Sequence, residues 1–352
     1  MTDTAELPEA KPDESAAALD AADLLNMITG AWVSQITRAI AVLHIPDHIA
    51  NGAETADDIA RIESSDPRTT LRLMRAASSL GLLNYLGENR FGLTGRSQLL
   101  RSEIPGSLRA VAMIQTANAH WQCWAHIPEA VRQGHSQAEQ ALGMDLFTYF
   151  AQEENAEEAA LFAQAMGELS GLIIQRAVAT VDTSEVFTAV DVGGSNGDFV
   201  LGLMQANPAL RGQVLDLPHA VEGARHEAKK RGMSERFTAV VGDFFATVPE
   251  ADLYLLKMIL HDWDDERCVQ ILRNCRAAVH PRGRALIVER VIGELGQPDF
   301  ATLADMNMLS MTQGGMERDL HEFDTLFAAS GWRRTDTRPV GGGYSLLTVE
   351  SA

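Results

Sequence analysis

Positive charge is scarce in this sequence: 29 Lys and Arg stand against 48 Asp and Glu over 352 residues, a formal net charge of −19. So acidic a chain is not expected to work by neutralising phosphate backbones. Cysteine is scarcer still. Cys123, Cys268 and Cys275 are odd in number and lack ligand-like spacing, so neither a disulfide framework nor a zinc site is expected, and a reducing cytoplasm fits best. No apolar run is long enough for a transmembrane helix, and no apolar stretch follows a basic start as in a secretory signal. What is present is ordinary for a folded chain: 46% apolar and 22% charged residues, in a length that asks for two domains rather than one core.

The first 24 residues carry seven acids against Lys11 alone. They hold about a third of the net charge, and the segment to about Ala21 reads as a mobile tail. From Asp23 to Leu43, Leu24, Met27, Ile28, Ala31, Trp32, Ile36, Ile40 and Leu43 recur at threes and fours, the pattern of one amphipathic helix with a broad apolar face. Helical patterns at Thr55 to Arg61 and Thr69 to Leu80 precede an alternating stretch, Leu82 to Leu93, that folds about Gly87-Glu88-Asn89. Two helices and a hairpin suggest a winged-helix-like unit over residues 22–106. Between Thr55 and Gly95 five acids balance five arginines, which is not the basic footprint of a groove reader, so packing against another subunit is the favoured role. Helical patterns continue through residues 107–180 with scattered aromatics, most of them expected in the core.

From Glu185 the period changes. Strand-like runs at Val186 to Val192, Gln213 to Leu217, Phe237 to Gly242, Leu253 to Leu260 and Arg284 to Val291 alternate with helical stretches. That alternation predicts an α/β domain over 181–352, with a mostly parallel sheet covered on both faces. Arg333 to Val340 and Tyr344 to Glu350, joined by Gly341-Gly342-Gly343, should pair antiparallel at its edge.

Ligands of such sheets bind at the carboxyl ends of the strands. The first strand ends in Asp191-Val192-Gly193-Gly194-Ser195-Asn196-Gly197, where glycines either serve the turn alone or let a ligand approach. The dinucleotide fingerprint is not met, because Ser195 and Asp198 stand where its second and third glycines would be. Asp216 ends the second strand, where a carboxylate can accept ribose hydroxyls, and Asp243 follows the third beside Phe244 and Phe245. Acids and aromatic faces without a basic phosphate clamp suit a nucleoside lacking phosphates, a character that S-adenosylmethionine has. Lys257 lies inside the apolar run of the fourth strand, where an ammonium needs a partner. His261 follows in His261-Asp262-Trp263, placed to act as a proton acceptor.

From about Leu24 to Glu350 these motifs, together with Gly314-Gly315-Met316-Glu317-Arg318, resemble the S-adenosylmethionine-dependent small-molecule O-methyltransferases, which include caffeate and flavonoid enzymes and bacterial natural-product tailoring enzymes. The resemblance implies a Rossmann-like class I methyltransferase sheet behind an all-helical or winged-helix dimerisation domain, and a homodimer. It implies that Asp191, Gly193, Gly194, Gly197, Asp216, Leu217, Gly242, Asp243, Phe244, Phe245 and Lys257 bind S-adenosyl-L-methionine, with S-adenosyl-L-homocysteine as product. His261 matches the catalytic base, and Glu289 and Glu317 match its two orienting carboxylates. Met166 and Met308 resemble the pair that holds the acceptor ring; Trp121, Trp124, Phe150, Asp262, Trp263 and Thr312 are further pocket candidates. Ser195 and Met316 depart from the family's usual residues.

The resemblance implies methylation of a phenolic or enolic hydroxyl on a small aromatic or polyketide-like metabolite; no acidic metal triad is apparent, so no metal is expected, and the charge and the lack of long apolar runs speak against a nucleic acid or a membrane as partner. Two alternatives stand beside it: a cofactor-binding relative that decarboxylates or hydroxylates, and a cofactor-sensing regulator that uses the winged unit.

Overall fold

The structure, a computed structural model, describes residues 14–102 and 104–352, and the acidic segment before Glu14 lies outside the described residues. The chain forms two compact units that divide between Thr116 and Ala117. The sequence reading places divisions near 106 and 180 instead. The helices of 117–180 belong to the same compact unit as the sheet, because Ile173, Ile174 and Ala177 enter the sheet's core.

In the first unit, helices α1 (Glu14–Ile28) and α2 (Gly30–Val42) replace the single helix expected from Asp23 to Leu43. Helix thus begins inside the presumed tail and breaks at Thr29, ahead of Gly30, a residue that weakens a helix interior by about 0.5–1 kcal/mol. Both helices keep apolar residues in solvent, including Met27 at 76% and Trp32 at 69% exposure. After α3 (Ile45–Ala50), α4 (Ala56–Glu63) is capped by Thr55 Oγ1, which accepts from the Asp58 N–H at 3.2 Å. Helix α5 (Pro67–Ser79) is capped by Asp66, which accepts from the Thr69 N–H at 2.8 Å. Strands β1 (Leu83–Gly87) and β2 (Arg90–Leu93) form the expected hairpin. Its turn residues Glu88 and Asn89 have φ of 51° and 57°, the left-handed pair that a two-residue turn demands. Ile40, Ile45, Ile59, Met74 and Phe91 close this unit's core, and the short helices α6 (Gly95–Gln98) and α7 (Arg109–Ile114) follow.

The second unit begins with α8 (Asn118–Ala125), α9 (Ile127–Gln133), α10 (Ala138–Leu142), α11 (Leu146–Phe150) and the long α12 (Ala156–Thr180). The alternating part then runs β3 (Thr188–Val192), α13 (Asp198–Ala206), β4 (Arg211–Asp216), α14 (Pro218–Lys230), β5 (Phe237–Val241), β6 (Ala251–Lys257), α15 (Asp265–Ala278), β7 (Val279–Ile292), α16 (Phe300–Met311), β8 (Arg318–Asp319), α17 (Leu320–Ser330), β9 (Trp332–Gly341) and β10 (Tyr344–Ser351).

The sheet order is β5-β4-β3-β6-β7-β10-β9, with β8 attached to β7; β3 to β7 pair in parallel, and β10 is antiparallel to both neighbours. Alternation along β6 builds both faces: Leu253 and Leu255 join the core under α12 to α14, while Tyr254 and Leu256 join the one under α15 and α17. Each such buried side chain contributes roughly 1.5–3 kcal/mol. Strand order reverses between β3 and β6, so their carboxyl ends open the crevice where a ligand sits.

The fourth strand of this sheet ends three residues earlier than its apolar run suggests. Met258 takes a φ of 57°, and the chain enters a tight helical turn at Leu260–Asp262. Apolar character alone cannot mark that turn, because Ile259 and Leu260 stay buried after the strand has ended.

Candidate active site

Three successive strand ends shape one side of the crevice. Between β3 and α13, Gly193, Ser195 and Gly197 all have positive φ, and the Gly193 N–H donates to Leu215 O at 2.8 Å. A Cβ on Gly193 would come 2.6 Å from Ile259 Cδ1 and 3.4 Å from Phe244, so only glycine leaves this cradle open. Asp216 at the end of β4 accepts from the Ser195 N–H at 2.8 Å and from the Leu217 N–H at 2.7 Å, which fixes its carboxylate and leaves a lone pair free on each oxygen.

Asp243 is held by the Phe245 N–H at 2.8 Å. The Phe244 and Phe245 rings lie 4.9 Å apart, and Trp263 packs edge-on to Phe245 at 4.8 Å. Trp263, a pocket candidate from the sequence, thus packs against Phe244 and Phe245. Fixed carboxylates, aromatic faces and a glycine cradle fit a nucleoside without phosphates.

Asp191 is 1% exposed and accepts from the Val200 N–H at 3.3 Å. Burial pushes its carboxyl up to about 7, against the pull of Lys257. A Cβ on Gly194 would sit 2.5 Å from the Asp191 carboxyl carbon, so these two residues shape the loop from beneath. Gly197 and Gly242 do the same against Val214 and Leu215. Lys257 donates to Ser170 Oγ at 2.9 Å, tying β6 to α12; burial lowers its pKa while Asp191, Glu289, Asp198 and Asp262 oppose that loss of charge. Ser170 carries no local sequence signal and was not anticipated.

The turn after β6 holds the most charged cluster. His261 is 6% exposed, and its Nδ1 lies 3.3 Å from Glu289 Oε2 and 3.4 Å from Glu317 Oε1; its Nε2 is 3.6 Å from Asp262 Oδ1. The other Glu289 oxygen accepts from the N–H groups of Ile259 and Leu260 at 2.9 and 2.8 Å, so one carboxylate fixes both the turn and the imidazole. Burial by itself would lower the His261 pKa. Glu289, Asp262 and Glu317 outweigh that and hold it up to about 10, while burial raises Glu289 and Asp262.

Arg318, 1% exposed, has no role of its own in the sequence reading. It donates to Leu260 O at 3.1 Å and Trp263 O at 2.9 Å, and to Asp265 at 2.7 Å, bracing the turn from both ends. Gly315 explains the glycine run: a Cβ there would meet His261 O at 2.5 Å.

The remaining candidates lie on α8, α11, α12 and α16. Trp124 Nε1 donates to Asn307 Oδ1 at 3.0 Å, and Thr312 Oγ1 to Met308 O at 2.9 Å. Phe150 lies 4.9 Å from Phe162, which faces His120 at 6.4 Å; Met166 and Met308 are half-buried, and Trp121 stays 46% exposed. Phe162, Met166 and Ser170 recur every fourth residue on α12, so the helix face that reaches Lys257 also carries this aromatic patch. His120 is buried with Nδ1 unpartnered, and burial brings its pKa down to about 4, leaving a neutral imidazole.

Residues 124–333 match the model of the O-methyltransferase domain, and residues 25–103 that of the O-methyltransferase dimerisation domain. The phenazine O-methyltransferase of Lysobacter antibioticus is 34% identical over 92% of this chain and 94% of its own. The structure of a mitomycin 7-O-methyltransferase superposes with a TM-score of 0.88 at 32% identity, covering 97% of this chain and 100% of that one. A neocarzinostatin-biosynthesis O-methyltransferase, solved with S-adenosyl-L-homocysteine and 1,4-dihydroxy-2-naphthoic acid, has a TM-score of 0.76 at 29% identity over 91% of this chain and 96% of its own. The chain belongs to the S-adenosylmethionine-dependent O-methyltransferases of the natural-product tailoring type.

Proposed function

We propose that the enzyme methylates a phenolic or enolic hydroxyl of a small polycyclic aromatic or polyketide-like metabolite, with His261 as general base. The observation that carries this reading is the His261 cluster, in which two buried carboxylates face Nδ1 while Nε2, 3.6 Å from Asp262 Oδ1, is the nitrogen turned away from that pair. S-adenosylmethionine supplies an activated methyl group on a sulfonium. Gly193, Asp216, Asp243, Phe244 and Lys257 would hold it, on the chemistry of the donors and aromatic faces described above. His261 Nε2 takes the hydroxyl proton as the oxygen becomes a nucleophile. Glu289 and Glu317 keep the imidazole oriented and stabilise the imidazolium that forms.

Fixing oxygen and methyl in line supplies much of the acceleration, and the aromatic patch on α8, α11, α12 and α16 is suited to holding a flat acceptor for that purpose. The exposed apolar faces of α1 and α2 suit a homodimer formed through the dimerisation domain. Incubation with labelled S-adenosylmethionine and a panel of phenols, quinols and polyketides, read by product mass, tests the assignment. A singly O-methylated phenol or enol is expected; product bearing the label only on carbon or nitrogen would overturn it.

A further inference from the structure

Arg290 follows Glu289 on β7 and has no role in the reading given so far. Its side chain is 11% exposed, and its guanidinium lies 4.1 Å from the centre of the Tyr344 ring, its cross-strand neighbour, and 5.1 Å from that of Phe300. Both rings present a π face to the cation. Nε is buried without a partner, and Nη1 lies 3.8 Å from Glu317 Oε1, the same oxygen that faces His261. One carboxylate oxygen thus stands between two cationic groups.

We propose that Arg290 is a positioning residue for methyl transfer: clamped between Tyr344 and Phe300, it shares Glu317 with His261 and so sets the pH at which the imidazole is free to accept a proton. The other groups around this pair are accounted for. His261 faces Asp262 on its own turn, Glu289 from β7 and Glu317 from the loop before β8, with Lys257 behind Asp262. The Glu317 N–H donates to Asp305 Oδ1 of α16 at 2.9 Å, and Arg318 and Glu322 lie on the Asp305 side. Three carboxylates around one imidazole would keep it protonated far into the alkaline range; Arg290 is the positive charge that reaches the shared oxygen from β7. Removing that charge strengthens the hold of Glu317 on the imidazolium, so the midpoint of His261 must rise. Across the two short gaps the shift is about one pH unit.

The inference rests on His261 being the base, but its test does not require turnover. Protein carrying ¹³C-labelled histidine is titrated by NMR with S-adenosyl-L-homocysteine present, the His261 signal being assigned by its loss in His261→Gln. Arg290→Met keeps an apolar, polarisable side chain between the rings and loses the charge; Arg290→Lys keeps the charge. Each is also placed in the Glu289→Gln background, which brings the midpoint into a convenient range. Arg290→Met should raise the midpoint by about one unit, and Arg290→Lys should leave it near wild type. If Arg290→Met does not fold, Arg290→Gln carries the same comparison. A midpoint that is unmoved or falls in the uncharged variant, or that rises equally in the lysine variant, overturns the proposal. Full activity of His261→Ala would instead overturn the base reading on which it stands.

Discussion

Glu289→Gln separates what this carboxylate does for the fold from what it does for the proton. The glutamine carbonyl can still accept from the N–H groups of Ile259 and Leu260, now met at 2.9 and 2.8 Å, so the turn should hold and the melting temperature should change little. The other oxygen, 3.3 Å from His261 Nδ1, becomes an amide nitrogen that donates. It then favours the tautomer with its proton on Nε2, where the acceptor's proton must go. The lost charge also makes the imidazole a weaker base: a unit pair at this separation is worth up to about 5 kcal/mol at an effective dielectric of 20, so the midpoint falls by several pH units, and the imidazolium formed as the proton arrives loses that support, which outweighs the larger fraction of free imidazole at neutral pH. Turnover should fall on the order of 10²- to 10⁴-fold, while calorimetric binding of S-adenosyl-L-homocysteine stays within a few-fold. Glu289→Ala would also orphan two buried N–H groups, at about 1–3 kcal/mol each, and should unfold earlier. A glutamine variant with near-normal turnover would refute this account of Glu289.

With the His261 midpoint raised to about 10, activity must climb as pH rises from neutrality, because the base works only after losing its proton; a kcat/KM profile already flat from pH 6.5 upward would contradict the cluster's electrostatics. Gly193→Ala should weaken S-adenosyl-L-homocysteine binding at least about tenfold, since its Cβ would meet Ile259 Cδ1 at 2.6 Å in a backbone with φ of 66°, a conformation costing roughly 1–2 kcal/mol outside glycine; unchanged affinity would show the cradle unimportant. A chelator should leave the rate unaltered, as positioned protons and charges suffice for this transfer, and loss of activity reversed by added divalent metal would count against the mechanism.

Legibility in the sequence followed the range of the interaction. The change of period near Glu185 foretold the parallel sheet because each strand and helix declares itself within a few residues, and the His261-Asp262-Trp263 run was visible for the same reason. Contacts across the fold left no such trace. Lys257 clearly needed a partner, but its bond to Ser170 spans 87 residues, and Arg318 reaches back 58 residues to Leu260. Adjacency to His261 says nothing about which way the Trp263 ring turns, and it turns to Phe245. The end of β6 was overrun because burial continues past Lys257 while strand geometry does not.

The central claim is that His261 accepts the proton. His261→Gln, assayed with labelled S-adenosylmethionine and the preferred phenolic acceptor alongside calorimetric binding of S-adenosyl-L-homocysteine, tests it most directly. The account predicts that nearly all turnover is lost while product affinity persists; wild-type turnover in that variant would contradict it.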